Sequence, residues 1–281
     1  MKEEPLLDQT KRLLRHANLR ARKGLGQHFL IDEDVLEVIL QAAELTPDDT
    51  VIEVGPGLGI MTAALAKKAG SVIAVELDDK LAANLKKSPA SFENVTVIND
   101  DILNIDVSDL LHEKKKYKVV ANLPYYITSP TIRRFLESEV KPQTMILMVQ
   151  KEVAEVIAAK PGQMSLMSVS VQYYGNPAII EYVPAKSFYP APEVDSAVIR
   201  IDVYPQPVVN VCEKSFFALV RAGFTASRKQ IANSLAQGLG LLKPDILTLL
   251  EKADIAPQRR AEALTIQEWA KLWEVFHREK E

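Results

Sequence analysis

Apolar and polar residues follow one rhythm over the first half of this chain and another over the second. Between residues 50 and 149, short apolar runs alternate with stretches whose apolar positions recur three and four apart. Thr50–Val54, Ser71–Val75, Val95–Ile98, Lys118–Ala121 and Thr144–Val149 read as buried strands, and Ile60–Lys68 and Asp79–Lys87 as the helices between them. Ahead of the first strand, Asp32 is placed to cap a helix with Val35, Leu36, Ile39 and Leu40 on one face. Ser129-Pro130 reads as an N-cap with proline in the first turn of a helix that runs through Leu136. Strands with no apolar/polar alternation, separated by helices, predict an α/β fold: a mainly parallel sheet covered on both faces.

After Val149 the rhythm changes. Lys151–Ala159 and Leu166–Tyr174 read as helices, and Ala178–Val183 and Ala197–Val203 as late strands, an antiparallel pair at the sheet edge. Pro205 and Pro207 mark Val203–Val208 as a linker. Beyond it the pattern is helical: Glu213–Phe224, Arg228–Gln237, Asp245–Lys252 and Gln267–His277, the last opened by Thr265-Ile266-Gln267-Glu268 at capping-box spacing. The expected organisation is an arm over 1–30 ending in a short link from Leu25 to Leu30, an α/β domain over 31–205 and a smaller all-helical domain over 206–281.

Composition narrows the class. Cys212 is the only cysteine, which rules out an internal disulfide and a cysteine-rich zinc site; it is expected to pack near the start of a helix, and no metal is expected. No apolar run is long enough to span a bilayer, and residues 1–23 mix acids with bases, unlike a signal peptide, so a cytoplasmic protein is expected. The net charge of -3 argues weakly against a nucleic-acid partner, but it hides an asymmetry. Residues 1–23 carry seven bases (Lys2, Lys11, Arg12, Arg15, Arg20, Arg22, Lys23) against three acids (Glu3, Glu4, Asp8), a local balance of 7 − 3 = +4. Arg221, Arg228 and Lys229 form a second basic group. A basic face, not the mean charge, is what binds phosphate.

The candidate chemistry sits at the ends of the strands. The first runs into Gly55-Pro56-Gly57-Leu58-Gly59, a turn that brings backbone close to a ligand. The dinucleotide fingerprint needs its third glycine one position later than Gly59. Glu53, two residues before Gly55, would also repel a pyrophosphate, whereas a zwitterionic amino acid with an adjacent sulfonium tolerates it. Glu76 follows the second strand, where a carboxylate accepts from ribose hydroxyls, and Asp101 follows the third, within reach of an adenine amine. The fourth strand ends in Asn122-Leu123-Pro124-Tyr125. An exocyclic adenine amine is a weak nucleophile because its lone pair is delocalised into the ring. Acceptors on both N–H groups, here the Asn122 side-chain oxygen and the Leu123 carbonyl, favour a pyramidal nitrogen with a directed lone pair. Pro124 stiffens the turn, and Tyr125 offers a stacking face worth roughly 1–3 kcal/mol per base.

With these motifs the chain resembles the KsgA/RsmA family of ribosomal RNA adenine dimethyltransferases over nearly its whole length. Five segments carry the resemblance: Gly26–Leu30, Glu53–Gly59, Asn122–Ile127, Gln150–Ala154 and Phe188–Ala197. It implies a Rossmann-like domain dependent on S-adenosylmethionine, with S-adenosylhomocysteine as product. It also implies that His28 and Leu30 contact the methionine part of the cofactor, that Gly55 lies against it, and that Glu76 holds the ribose and Asp101 the adenine. Asn122 would bridge cofactor and substrate, with Tyr125 and Phe188 sandwiching the target base. The implied reaction puts two methyl groups on each of two adjacent adenines in a hairpin near the 3′ end of 16S (small-subunit) rRNA. The implied substrate is a late pre-30S particle, and the helical domain, with Arg221, Arg228 and Lys229, would help dock the RNA. The enzyme is expected to be a monomer. The chain departs from the family after Pro161-Gly162, where Gln163-Met164-Ser165 leads straight into Leu166 without the usual longer loop.

Three other readings compete. A sister family methylates large-subunit rRNA and confers macrolide resistance, but tends to carry isoleucine where Leu123 stands. A non-catalytic ribosome-assembly factor would have no need of the complete Asn122–Tyr125 set. A nicotinamide dehydrogenase is disfavoured by the glycine spacing.

Overall fold

The computed structural model describes residues 4–17, 19, 21, 22, 24, 26–87, 93–111 and 116–278. Of the residues read above, Lys2, Glu3, Arg20, Lys23 and Leu25 lie outside this set. The elements follow as α1 (Leu6–His16), β1 (Phe29–Leu30), α2 (Glu33–Ala43), β2 (Thr50–Val54), α3 (Ile60–Ala66), β3 (Ser71–Glu76), α4 (Asp79–Lys86), β4 (Val95–Asn99), α5 (Val107–Leu111) and β5 (Lys118–Asn122). A 3₁₀ turn (Tyr125–Ile127) leads into α6 (Thr128–Leu136), β6 (Thr144–Gln150), α7 (Lys151–Ile157), α8 (Leu166–Tyr174), β7 (Gly175–Val183), β8 (Phe188–Tyr189) and β9 (Ser196–Val203). The chain ends with α9 (Glu213–Phe224), α10 (Ile231–Leu239), α11 (Lys243–Lys252) and α12 (Ile266–Arg278).

The chain divides into two units, Met1–Ala154 with Pro177–Val203, and Glu155–Asn176 with Tyr204–Glu281. In the first, a seven-stranded sheet has the order β4-β3-β2-β5-β6-β9-β7. The strands from β4 to β6 run parallel, and β9 pairs antiparallel with β6, from Thr144 opposite Asp202 to Gln150 opposite Ser196. All five residues of β2 are buried, as helices on both faces require. One core joins Ile39 and Leu40 of α2 and Leu65 of α3 to Val51, Val120, Ile146 and Val198 of the sheet. Each such side chain contributes roughly 1.5–3 kcal/mol. Asp32 caps α2 by accepting from the Val35 N–H, while its other oxygen accepts from the Ser187 hydroxyl at 2.7 Å. Strand order reverses between β2 and β5, the place where open α/β sheets hold ligands at the carboxyl ends of their strands.

Three local expectations are corrected. The charged arm contains a helix, α1, which buries Leu6, Thr10 and Leu14. The segment read as a link to Leu30 contains β1, paired antiparallel with β8 so that Phe29 faces Tyr189 and Leu30 faces Phe188. Ser129 is not the N-cap of α6: the helix starts at Thr128 because the 3₁₀ turn winds directly into it, and Pro130 falls in the first turn, where no N–H is needed.

The second unit takes α8 along with α9 to α12, a different division from a single boundary near residue 205. The reason is aromatic: Tyr173 stacks on Phe216 with ring centres 5.3 Å apart and meets Phe217 edge-on at 5.1 Å. After the shortened loop, Ser165 and Ser168 form a capping box that starts α8. The box expected at α12 is formed, Thr265 N–H donating to Glu268 and Glu268 N–H to Thr265 Oγ1. Helices α9 and α10 approach so closely that a Cβ on Gly238 would lie 2.5 Å from the Ala222 carbonyl oxygen. Helix α10 starts at Ile231, three residues later than expected, and Cys212, expected to be packed, is exposed at the N-cap of α9.

Candidate active site

A cavity of about 390 Å³ opens at the carboxyl ends of β2, β3 and β5, lined by the glycine turn, the residues after β3 and β4, the Gly26–Leu30 segment and the Asn122–Ile127 segment. Gly55, Gly57 and Gly59 all have positive φ (69°, 59° and 81°), which lets the backbone fold back under the ligand space. At Gly57 a side chain is disfavoured twice over, because its Cβ would also lie 3.1 Å from the Phe29 ring, which would have to shift to admit it.

Glu76 is almost fully buried at the end of β3, where one oxygen accepts from Gly57 N–H at 3.0 Å and the other from Asp78 N–H at 2.9 Å. These bonds aim the carboxyl into the cavity and leave lone pairs for further donors. Burial pushes its pKa above the ordinary carboxylate range, a rise those backbone bonds partly offset. Asp101 Oδ1 accepts from Leu103 N–H at 2.9 Å, a local turn that leaves Oδ2 as an acceptor at the rim.

Glu53 is wholly buried, and neither of its oxygens makes a hydrogen bond of normal geometry. Burial pushes its carboxyl up to about 8; the nearby Thr62 hydroxyl offsets part of this, and the negative Glu76 adds to it. Among the described residues, Glu53, Glu76, Asp100, Asp101 and no lysine or arginine line the cavity. Such a lining suits a cationic ligand and repels phosphate. A cofactor with an ammonium, a sulfonium and a ribose therefore fits these donors.

Asn122 ends β5 and donates from Nδ2 to the His28 carbonyl at 2.9 Å. The amide orientation is thereby fixed, and Oδ1 is the acceptor left on that side chain. His28 Nδ1 lies 2.7 Å from the Pro190 carbonyl, which can only accept, so Nδ1 carries the proton. The His28 ring stacks on Tyr125 at 5.9 Å and 22°, and the Tyr125 hydroxyl bonds Ser196 Oγ at 2.9 Å. Partial burial raises the Tyr125 pKa, so the hydroxyl stays protonated at neutral pH. Gln27 Nε2 and Arg22 both reach the buried Asp78, which caps α4, and so pin the Gly26–Leu30 segment to the far side of the cavity.

The family model for "Ribosomal RNA adenine dimethylase" matches residues 18–278. The chain belongs to this family. A ribosomal RNA small subunit methyltransferase A from Dehalococcoides mccartyi is 53% identical over 269 residues, covering 95% of this chain and 92% of that protein. The crystal structure of the 23S rRNA methyltransferase ErmE is 27% identical with a TM-score of 0.72, covering 89% of this chain and 99% of that one. A dimethyladenosine transferase from Plasmodium falciparum, 24% identical, shares the fold with a TM-score of 0.78 over 90% of this chain and 98% of that one.

In this dimethylase His28, Leu30, Gly55, Glu76, Asp101, Asn122, Leu123, Pro124 and Tyr125 all line one cavity, although they come from five separate segments. Phe188 does not join them. It is 3% exposed and packed in the core with Val183 and Val198, behind the residues that line the cavity. The two residues of β8 alternate across the strand, and it is Tyr189, 37% exposed, that points out, with Lys11 Nζ 5.7 Å above its ring. What the Phe188–Ala197 segment supplies to the site is support: the Pro190 carbonyl for His28 and the Ser196 hydroxyl for Tyr125. Those positioning roles, and Tyr126, exposed at the rim and packed near Gly26, were missed by the sequence reading. The Tyr125-Tyr126 doublet was the available signal. Arg221, Arg228 and Lys229 are exposed on the helical unit.

Proposed function

We propose that this enzyme dimethylates the N6 amines of two adjacent adenines in a hairpin near the 3′ end of 16S rRNA. It does so as a monomer in the cytoplasm, on a late pre-30S particle. The observation that carries the reading is the Asn122–Tyr125 segment lining the same cavity as Glu76 and Asp101, in a member of the rRNA adenine dimethylase family. S-adenosylmethionine, when bound, supplies an electrophilic methyl group. His28, Leu30 and Gly55 hold its methionine part, Glu76 the ribose and Asp101 the adenine. Asn122 Oδ1 and the Leu123 carbonyl accept from the target amine and direct its lone pair. Pro124 keeps that carbonyl aimed, and Tyr125, fixed by Ser196 and His28, supports the base. No strong general base is required, because a methylated ammonium conjugated to the ring loses its proton readily. Arg221, Arg228 and Lys229 hold the RNA backbone, which positions the substrate without reading its sequence.

The large-subunit reading is weaker, resting on 27% identity to the ErmE structure against 53% to the small-subunit relative. Labelled methyl transfer to small subunits lacking dimethyladenosine, with large subunits as control, separates the two. Label recovered as dimethyladenosine in the small subunit supports the reading. Label in the large subunit moves the enzyme to the resistance-type family, and no label in either, with cofactor bound, favours an assembly factor.

A further inference from the structure

Glu53 lies one residue from the carboxyl end of β2, flanked across the sheet by Ala74 of β3 and Val120 of β5. Its side chain is wholly buried and borders the cavity, and neither oxygen makes a hydrogen bond of normal geometry, although the Thr62 hydroxyl lies nearby. An apolar residue would serve this place better unless a ligand makes use of the carboxyl, since an isolated buried carboxylate is costly and neutralises instead. The titratable groups that face the cavity from the surrounding elements are Glu76, Asp100, Asp101, His28, Tyr125 and Tyr126, and α3 brings the Thr62 hydroxyl near Glu53. Among the described residues no lysine or arginine lines it, so the protein itself offers no fixed cation to an ionised Glu53.

We propose that Glu53 is a proton-exchanging counter-charge for the cationic amino-acid end of S-adenosylmethionine. It is neutral in the cofactor-free protein and ionises as the cofactor seats. The O–H bond of the carboxyl breaks, the proton passes to solvent, and the carboxylate stays beside the incoming positive charge. This rests on reading the cavity as the S-adenosylmethionine site. The burial that pushes the carboxyl up to about 8 leaves it roughly nine-tenths protonated at pH 7, so close to one proton is released per cofactor bound. Affinity must therefore climb with pH, by up to about tenfold per unit below 8, and stop climbing above it, where the cofactor's own ammonium also loses its proton.

The test is calorimetric titration of the full-length protein with S-adenosylmethionine at pH 7, in two buffers of different ionisation enthalpy. The wild type should show a buffer-dependent heat equal to release of nearly one proton. Glu53→Gln should bind more weakly and release none. Binding with the same heat in both buffers would overturn the proposal and leave the cofactor reading intact, as would full release from Glu53→Gln. No binding by the folded wild type would remove the cofactor reading and this proposal together. Carbon-13 titration of labelled glutamate carboxyls in the wild type needs no variant, and so holds even where Glu53→Gln folds poorly. One resonance should titrate near 8 without cofactor and sit at its ionised position at pH 7 with it. If no resonance behaves in this way, the proposal is wrong.

Discussion

Replacing Asn122 by alanine separates chemistry from folding. The side chain makes one structural hydrogen bond, from Nδ2 to the His28 carbonyl at 2.9 Å. Losing it costs about 0.5–1.5 kcal/mol, with up to about 3 kcal/mol if the carbonyl is left dry. The carbonyl is only part-buried, which favours the lower end. A domain of ordinary stability, about 5–15 kcal/mol, stays folded after such a loss, and its melting temperature drops by only a few degrees. Catalysis should respond on a different scale. Removing one preorganised hydrogen-bonding group at a reacting centre typically costs about 10²–10³ in turnover, or about 2.7–4 kcal/mol. Single-turnover methyl transfer at saturating cofactor, alongside calorimetric cofactor binding and a thermal melt, measures all three quantities on one preparation. The expected outcome is a turnover loss of at least a hundredfold with cofactor affinity reduced by tenfold or less. Turnover within tenfold of wild type in a folded Asn122→Ala protein would refute the assignment of Oδ1 as an acceptor for the target amine.

Other outcomes follow from the same geometry. Gly238→Ala forces a methyl to within 2.5 Å of the Ala222 carbonyl, so the helical unit should lose about 1–3 kcal/mol, read as an earlier denaturant midpoint. Replacing Arg221, Arg228 and Lys229 together by alanine should flatten the log–log dependence of RNA affinity on salt by about two to three units if all three meet phosphate, and an unchanged slope would remove them from the interface. Glu268 is held below the usual carboxylate range, first by its hydrogen bond from Arg259 and then by the Thr265 N–H. A depressed folded pKa contributes stability above the unfolded value and loses it as pH falls through the folded one. Acid melts should therefore lose less in Glu268→Gln than in wild type below about pH 4.

What the sequence disclosed, and what it withheld, tracks the range of the interactions involved. Glu76, Asp101 and Asn122 were legible because each ends a strand or closely follows one, and parallel strands bring those ends together whatever the helices do. The glycine turn was legible because only glycine tolerates three positive φ values in five residues. The burial of Phe188 was not legible because its neighbourhood depends on β1 meeting β8 across the 157 positions from 31 to 187, a two-residue pairing with no local signal of its own. Helix α1 was overlooked because its charges dominate, although Leu6, Leu13 and Leu14 already mark a face. The transfer of α8 to the helical unit depends on Tyr173 finding Phe216 and Phe217, a tertiary preference that no linker composition records.

Charge distribution decides how an RNA can use such a site. A chain of net charge -3 binds a polyanion only if its acids are kept away from the backbone it grips. Here four carboxyl groups are gathered around one cavity, while Arg221, Arg228 and Lys229 are exposed on the other unit. A phosphate entering the cavity would meet like charge at short range in a partly desolvated space, where repulsion is several-fold stronger than in water. A neutral base meets no such barrier. The nucleotide must therefore present its base alone, turned out of the stack with the phosphates left outside. That extrusion costs a few kcal/mol, which the stacking proposed for Tyr125, at roughly 1–3 kcal/mol, would offset only in part. The remainder has to come from contacts along the RNA backbone. A free adenine nucleoside should consequently be a poor methyl acceptor even where it fits, because it makes none of those contacts.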